Sequence, residues 1–208
     1  MLIIGLTGSI GMGKSTASER FRFHGCPVID ADAEVHKLYT GAAAASIAAA
    51  FPGTTAAGQV DRAKLSAALM ADPSGFKRLE LIVHPLVQAA EKALLQQAAR
   101  SGATLAVLEV PLLFETNGHE RCDVTVVVTA PADVQRARVL ARPGMTLEKL
   151  DAILSRQLAD AEKRARADFV VDTGGPIPDT QAQIDAVVAA LKARPAAPEG
   201  GAFRRFWS

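Results

Sequence analysis

GLTGSIGMGKST, residues 5–16, is the stretch on which the reading of this chain turns. Gly8, four further residues and then Gly13-Lys14-Ser15 match GxxxxGK[ST]. The match lies between an apolar run, LIIGLT (2–7), and a helical pattern from Lys14 to His24 that stops at Gly25. Strand, glycine loop and helix in that order are what the motif needs to work. Glycines let successive main-chain N–H groups turn inward around phosphate oxygens, and the helix N-terminus adds partial positive charge. Lys14 then reaches β- and γ-phosphates, and the Ser15 hydroxyl is placed to ligate Mg²⁺ directly. Residues 8–16 therefore read as a holder for the tail of a nucleoside triphosphate. No NKxD-type base-reading element follows a later strand, which favours ATP over GTP.

Working outward, PVID (27–30), TLAVLEV (104–110), DVTVVVTA (123–130) and DFVVD (168–172) are further short apolar runs. Strands apolar on both faces belong to a parallel sheet covered by helices. The expectation is an α/β, three-layer fold with a five-stranded parallel sheet. Residues 33–102 separate the second and third strands by far more than one crossover helix. This alanine-rich segment reads as an inserted helical subdomain, with PGTTAAGQV between two of its helices and His84-Pro85 opening a long helix over 85–101. A second excursion, 142–167, has Thr146 as a helix cap and a stripe of Leu147, Leu150, Leu154 and Leu158. Lys149, Arg156 and Lys163 recur every seven residues, which aligns positive charge on another face. The remaining core is 1–32, 103–141 and 168–192, and 193–208 is Pro/Gly-rich and reads as a flexible tail, with docking of Phe203, Phe206 and Trp207 on the body as the alternative.

Twenty-three Lys+Arg against 22 Asp+Glu give a net charge of +1 over 208 residues, so no global field favours nucleic acid or an anionic membrane. The apolar runs fall short of the roughly 18 residues of a spanning helix, and residues 1–7 carry no basic leader pattern. Cys26 and Cys122 lie far apart without CxxC spacing, as for free thiols in a reducing compartment. Together these give the expectation of a soluble, cytoplasmic protein, a monomer or weak homo-oligomer, acting on a small molecule.

VIDADAEVH (28–36) puts Asp30 and Asp32 two apart at the carboxyl end of the second strand. On an extended backbone both would point to one side, toward the ligand crevice of a parallel sheet. A carboxylate there can align an acceptor hydroxyl and hold Mg²⁺ through water. With an ordinary pKa near 3.9 it is a weak base for an alcohol, so alignment outweighs proton abstraction. A helix N-cap is the competing reading for either residue.

GLTGSIGMGKST, VIDAD, HPLV, PLLFE and KRARADFVVD, in this order and spacing over about residues 1–190, resemble the dephospho-coenzyme A kinase family. The resemblance implies a P-loop kinase fold whose helical substrate domain is 33–102 and whose helical lid is 142–167. It implies transfer of the γ-phosphoryl group of ATP to the ribose 3′-hydroxyl of dephospho-CoA, with Mg²⁺, giving coenzyme A and ADP. Carried over by position, Gly11, Met12, Gly13, Lys14, Ser15 and Thr16 form the ATP loop. Asp32 aligns the hydroxyl and touches Mg²⁺ through water, and Arg138 and Arg142 are the lid cations. Glu109 stands where the family often has Asp, and Asp172-Thr173-Gly174-Gly175 is where adenine would meet the backbone. A nucleoside-monophosphate or shikimate type of kinase would share the core and lid without the long insertion. An ATP-binding regulator would need no acceptor-side carboxylate.

Overall fold

The computed structural model describes residues 1–194 and 200–208, and these divide into two units, Met1–Ile29 with Leu95–Ser208, and Asp30–Leu94. In chain order the elements begin with β1 (Leu2–Thr7), α1 (Lys14–Phe23), β2 (Val28–Asp30), α2 (Ala31–Tyr39), α3 (Ala44–Ala50) and the short strands β3 (Thr55–Ala56) and β4 (Gln59–Val60). They continue with α4 (Arg62–Ala71), α5 (Gly75–Arg100), β5 (Leu105–Glu109), β6 (Val124–Thr129), α6 (Ala132–Leu140), α7 (Leu147–Leu154), α8 (Asp160–Arg166), β7 (Phe169–Asp172) and α9 (Ile177–Lys192). No helix among the described residues is long and apolar enough to cross a membrane.

The five strands read from the sequence form one sheet, in the order β2-β5-β1-β6-β7. β1 pairs in parallel with β5 (Leu2 opposite Leu105) and with β6 (Ile4 opposite Val124), and β6 pairs in parallel with β7 (Val126 opposite Phe169). Every residue of central β1 and β6 is buried, while edge strand β7 leaves Val170 exposed. The central strands show no polar–apolar alternation because both of their faces are covered. On one face Ile4, Leu6, Val126 and Val128 pack with Ala17 and Phe21 of α1 and Ile184, Val188 and Leu191 of α9.

Outside that core, α1 is tied to α9 by Asp185, which accepts from Arg20 Nε and Nη2, both at 2.6 Å, and lies 2.6 Å from His24 Nε2. The Arg20 hydrogen bond first, and His24 second, hold the Asp185 carboxyl far below its ordinary 3.8. A folded-state pKa below the unfolded one contributes stability that is complete above about pH 3.8 and is lost as pH falls through the folded value. The Tm deficit of Asp185→Ala relative to the unaltered chain should therefore be full at about pH 5 and shrink below about pH 4, as read from melts at stepped pH. A deficit that stays constant into strong acid would remove the charge from the explanation.

Residues 202–207 depart from the expected flexible tail. Ala202 N–H donates to Asp123 Oδ1 (2.6 Å), while Ile3 N–H donates to Asp123 Oδ2 (2.8 Å). Phe203–Trp207 make a single π-helical turn that buries Trp207, whose Nε1–H donates to the Arg121 carbonyl (2.9 Å) under the Arg121 guanidinium. Aromatic burial and a satisfied indole N–H outweigh the Pro/Gly composition on which the tail reading rested. Residues 195–199 of that segment lie outside the described residues.

The second unit, Asp30–Leu94, has its own core of Ala43, Ile47, Phe51, Leu65, Leu69, Val83 and Val87. Asp61 caps α4, accepting from Ala63 and Lys64 N–H at 3.1 Å. PGTTAAGQV is not plain loop: β3 and β4 pair antiparallel around Ala57-Gly58, both at positive φ (49° and 76°), the geometry of a type I′ turn. His84-Pro85 does not open a helix. Pro85 lies inside α5, where it removes the N–H that would bond the Leu81 carbonyl, a loss of about 3 kcal/mol in a helix interior. Leu81, His84 and Pro85 are all exposed, which leaves that carbonyl open to water, while Val83 and Val87 hold the helix to the core.

Candidate active site

The chain leaves β1 at Thr7 and re-enters regular structure at Lys14, the first residue of α1. Gly13 is the N-cap of α1 with φ 80° and ψ 24°. No side chain caps the helix, and its first turn carries no acidic residue. A helix head with no side-chain cap and no acid in its first turn favours an anion. Gly13 is required twice over, by its positive φ and because a Cβ would stand 2.9 Å from Thr173 Oγ1. Gly11, at φ 78°, would bring a Cβ within 2.6 Å of Val139 Cγ2, so α6 packs directly on the loop.

Lys14 Nζ reaches back across the loop to the Gly8 carbonyl (3.1 Å), and Ser15 is exposed at the head of α1. Thr16 is half-buried in the next position. Met12 behaves differently from the loop residue expected to meet ATP. Its N–H donates to Ser9 O (3.1 Å), its carbonyl accepts from Thr173 Oγ1 (3.1 Å), and its buried sulfur accepts from Ala130 N–H (3.0 Å). Met12 braces the loop rather than offering it a donor.

Arg138 sits in α6, and its Nη2 and Nη1 donate to the Thr173 carbonyl (2.6 Å) and Thr173 Oγ1 (3.1 Å). Because Thr173 also contacts Met12, this arginine is linked to the phosphate loop through Thr173. Arg142 is exposed just beyond α6. Ser18 Oγ donates to Glu109 Oε2 (2.6 Å), so the carboxylate at the end of β5 is tethered to α1.

The model of the dephospho-CoA kinase family matches residues 2–179 of this chain. The chain belongs to the dephospho-CoA kinase family. A dephospho-CoA kinase of Brucella melitensis is 54% identical over 197 residues, 95% of this chain and 98% of that one. Among solved structures, one from Thermus thermophilus superposes with a TM-score of 0.79 at 36% identity, covering 91% of this chain and 97% of its own. The dephospho-CoA kinase of Campylobacter jejuni does so with 0.69 at 26% identity, covering 91% and 96%.

The two carboxylates expected to point to one side of an extended strand in this member of the dephospho-CoA kinase family do not share an extended backbone. β2 ends at Asp30, whose Oδ1 accepts from Ala33 N–H (3.1 Å) and so starts α2. Asp32 is an exposed residue of the first helical turn, about 200° around the axis from position 30. The cap reading thus belongs to Asp30.

Sequence reasoning missed the residues that hold the loop from behind. The Ile10 N–H donates to Gln157 Oε1 (3.3 Å), and the Ile10 carbonyl accepts from Gln135 Nε2 (2.7 Å). It also misread Lys163, which does not join Lys149 on a solvated face. Lys163 is wholly buried, with Nζ 2.8 Å from Glu115 Oε1 and 3.4 Å from the Pro111 carbonyl. The helix breaks between Leu154 and Asp160, which ends the seven-residue register and turns Lys163 inward. The one available signal was a charge, Glu115, at the end of the apolar stretch LEVPLLFE. The Thr146 cap is present, accepting from Lys149 N–H (3.3 Å).

Proposed function

We propose a division of labour among these residues for the family's reaction. That reaction is the last step of coenzyme A biosynthesis: a phosphotransferase moves a phosphoryl group from a nucleotide donor to an alcohol, the ribose 3′-hydroxyl of dephospho-CoA. In this reading the donor is ATP. The N–H groups of Gly11, Gly13, Lys14, Ser15 and Thr16 hold its phosphates, with Lys14 on the β- and γ-phosphates and Met12 as a brace. The observation that carries the reading is the uncapped head of α1 behind a left-handed Gly13.

Asp32 aligns the 3′-hydroxyl and takes its proton late, as the new P–O bond forms and the bond from the γ-phosphorus to the β-phosphate oxygen breaks, leaving ADP. Arg138 and Arg142 supply positive charge for the transferring group. Segment 33–102, most of which falls in the unit with its own core, is the dephospho-CoA-binding insertion, and 142–167 is the lid. Mg²⁺ fits the donors at the head of α1, since this ion is held by substrate phosphates, water and few protein oxygens, here the exposed Ser15 hydroxyl. When bound, the ion neutralises charge on the phosphates, and Asp32 would meet it through water. The buried free thiols Cys26 and Cys122 fit a reducing cytoplasm, and the enzyme is read as a monomer or weak homo-oligomer without nucleic-acid or membrane partners.

An ADP-release assay with ATP, Mg²⁺ and dephospho-CoA, run beside AMP, adenosine, shikimate and no acceptor, tests the reaction. ADP formation dependent on dephospho-CoA, with a product heavier by one phosphoryl group, is expected. ATP binding with no turnover on any acceptor would leave a regulator. Lys14→Ala should weaken both ATP affinity and turnover by about tenfold or more, the worth of a charged hydrogen bond. Normal ATP affinity in that variant would count against the phosphate-loop assignment.

A further inference from the structure

A phosphate loop aims its donors only if its backbone is held, and this one has soft points at Gly11 and Gly13. Ile10, in its middle, is held through both flanking peptides, at the N–H of Ser9–Ile10 and at the carbonyl of Ile10–Gly11. Gln135, buried on α6, donates to the Ile10 carbonyl, and Gln157, on the stretch between α7 and α8, accepts the Ile10 N–H. Gln157 is itself fixed by its neighbours. Leu158 N–H donates to Glu115 Oε1 (2.8 Å), the oxygen that also meets the buried Lys163, and the Pro111 carbonyl bridges Lys163 Nζ and Thr7 Oγ1 (3.1 Å), one residue before the loop.

We propose that Gln157 is a positioning residue for the phosphate loop. Together with Gln135 it clamps Ile10 through the two peptides that flank it, so that the stretch between α7 and α8 and the loop move as one body. The proposal rests on the assignment of residues 8–16 to ATP and adds a specific coupling to it. Because the Ile10 N–H is spent on Gln157, the donors left for phosphate begin at Gly11. Placement of such donors matters at the level of about 0.5 Å, and the clamp removes the freedom that the glycines introduce.

Steady-state kinetics and melting curves of Gln157→Met, Gln135→Met and the double variant, all in the full chain with Mg²⁺ and ATP, test it. Methionine keeps the length of the side chain and removes the amide. Each single change is expected to raise the KM for ATP about tenfold, the upper end of what one lost hydrogen bond is worth. The KM for dephospho-CoA and the Tm should stay put. Since both glutamines hold the same residue, Ile10, through adjacent peptides, the double variant should show well under the product of the two single effects. An unchanged KM for ATP overturns the proposal, as does a fully multiplicative double effect or a parallel rise in both KM values with a lower Tm. If Gln157→Met does not fold, Gln157→Asn, which withdraws the same amide by one methylene, is read by the same criteria. Lys14→Ala measured alongside separates the two levels: if it too leaves ATP binding intact, the loop assignment fails, and if it alone weakens ATP binding, only the clamp does.

Discussion

Asp32→Asn is expected to lower kcat about 10²- to 10⁴-fold, the range of a positioned acid–base group, while ATP affinity stays within about threefold. Asparagine keeps the size of the side chain and its hydrogen-bonding reach. Under the role proposed for Asp32, it removes the charge that orients the acceptor hydroxyl and takes its proton, an interaction that strengthens only as the transition state forms. Asp30→Asn is the natural contrast, because an N-cap asparagine serves α2 about as well as aspartate and turnover should be retained. The pair separates two carboxylates that differ by two positions in sequence. Unchanged turnover in Asp32→Asn, or equal losses in both variants, would sink the assignment. Steady-state kinetics with a direct ATP-binding titration reads both.

The second large effect concerns stability. Glu115→Ala leaves the ammonium of Lys163, fully buried, without its counter-charge, and breaking one half of a buried pair costs about 3–5 kcal/mol. That is a large fraction of the roughly 5–15 kcal/mol by which domains are stable. Glu115→Leu combined with Lys163→Met should recover most of the loss, because an apolar pair of similar volume avoids the desolvation of both charges. Denaturant titration of the single and double variants distinguishes them. A single-variant loss under about 1 kcal/mol would mean that water or a shift of the helix reaches Lys163 in the absence of Glu115.

Features set by local sequence were legible and features set by distant contacts were not. The loop at Gly8–Thr16, the five apolar strands, each placed within one residue, and the Thr146 cap are determined by residues adjacent to them. The five motifs that resemble the dephospho-CoA kinase family all fall within residues 2–179, the span that the family model matches. Pro85 misled because proline usually marks a helix start, and only the packing of Val83 and Val87 shows the helix running through it. Ala57-Gly58 lacks the asparagine or aspartate that normally announces a type I′ turn. Lys163 looked like a surface charge because its partner Glu115 is far away in sequence. Gln135 and Gln157 carry no pattern at all: uncharged amides that hold the backbone on either side of Ile10 become visible only when three separate segments are brought together.

During synthesis the Asp123 carboxylate finds one of its partners long before the other. Ile3 precedes it by 120 residues and Ala202 follows by 79. At a synthesis rate of about 5–20 residues per second, Ala202 arrives some 4–16 s after Asp123 itself. Late in that interval β1 and β6 can already pair, but the socket for Trp207 beside Arg121 stands open. A nascent chain therefore passes through a stage with a nearly finished nucleotide-binding half and an uncovered patch, the kind of surface that chaperones recognise, until the docking of Trp207 closes it.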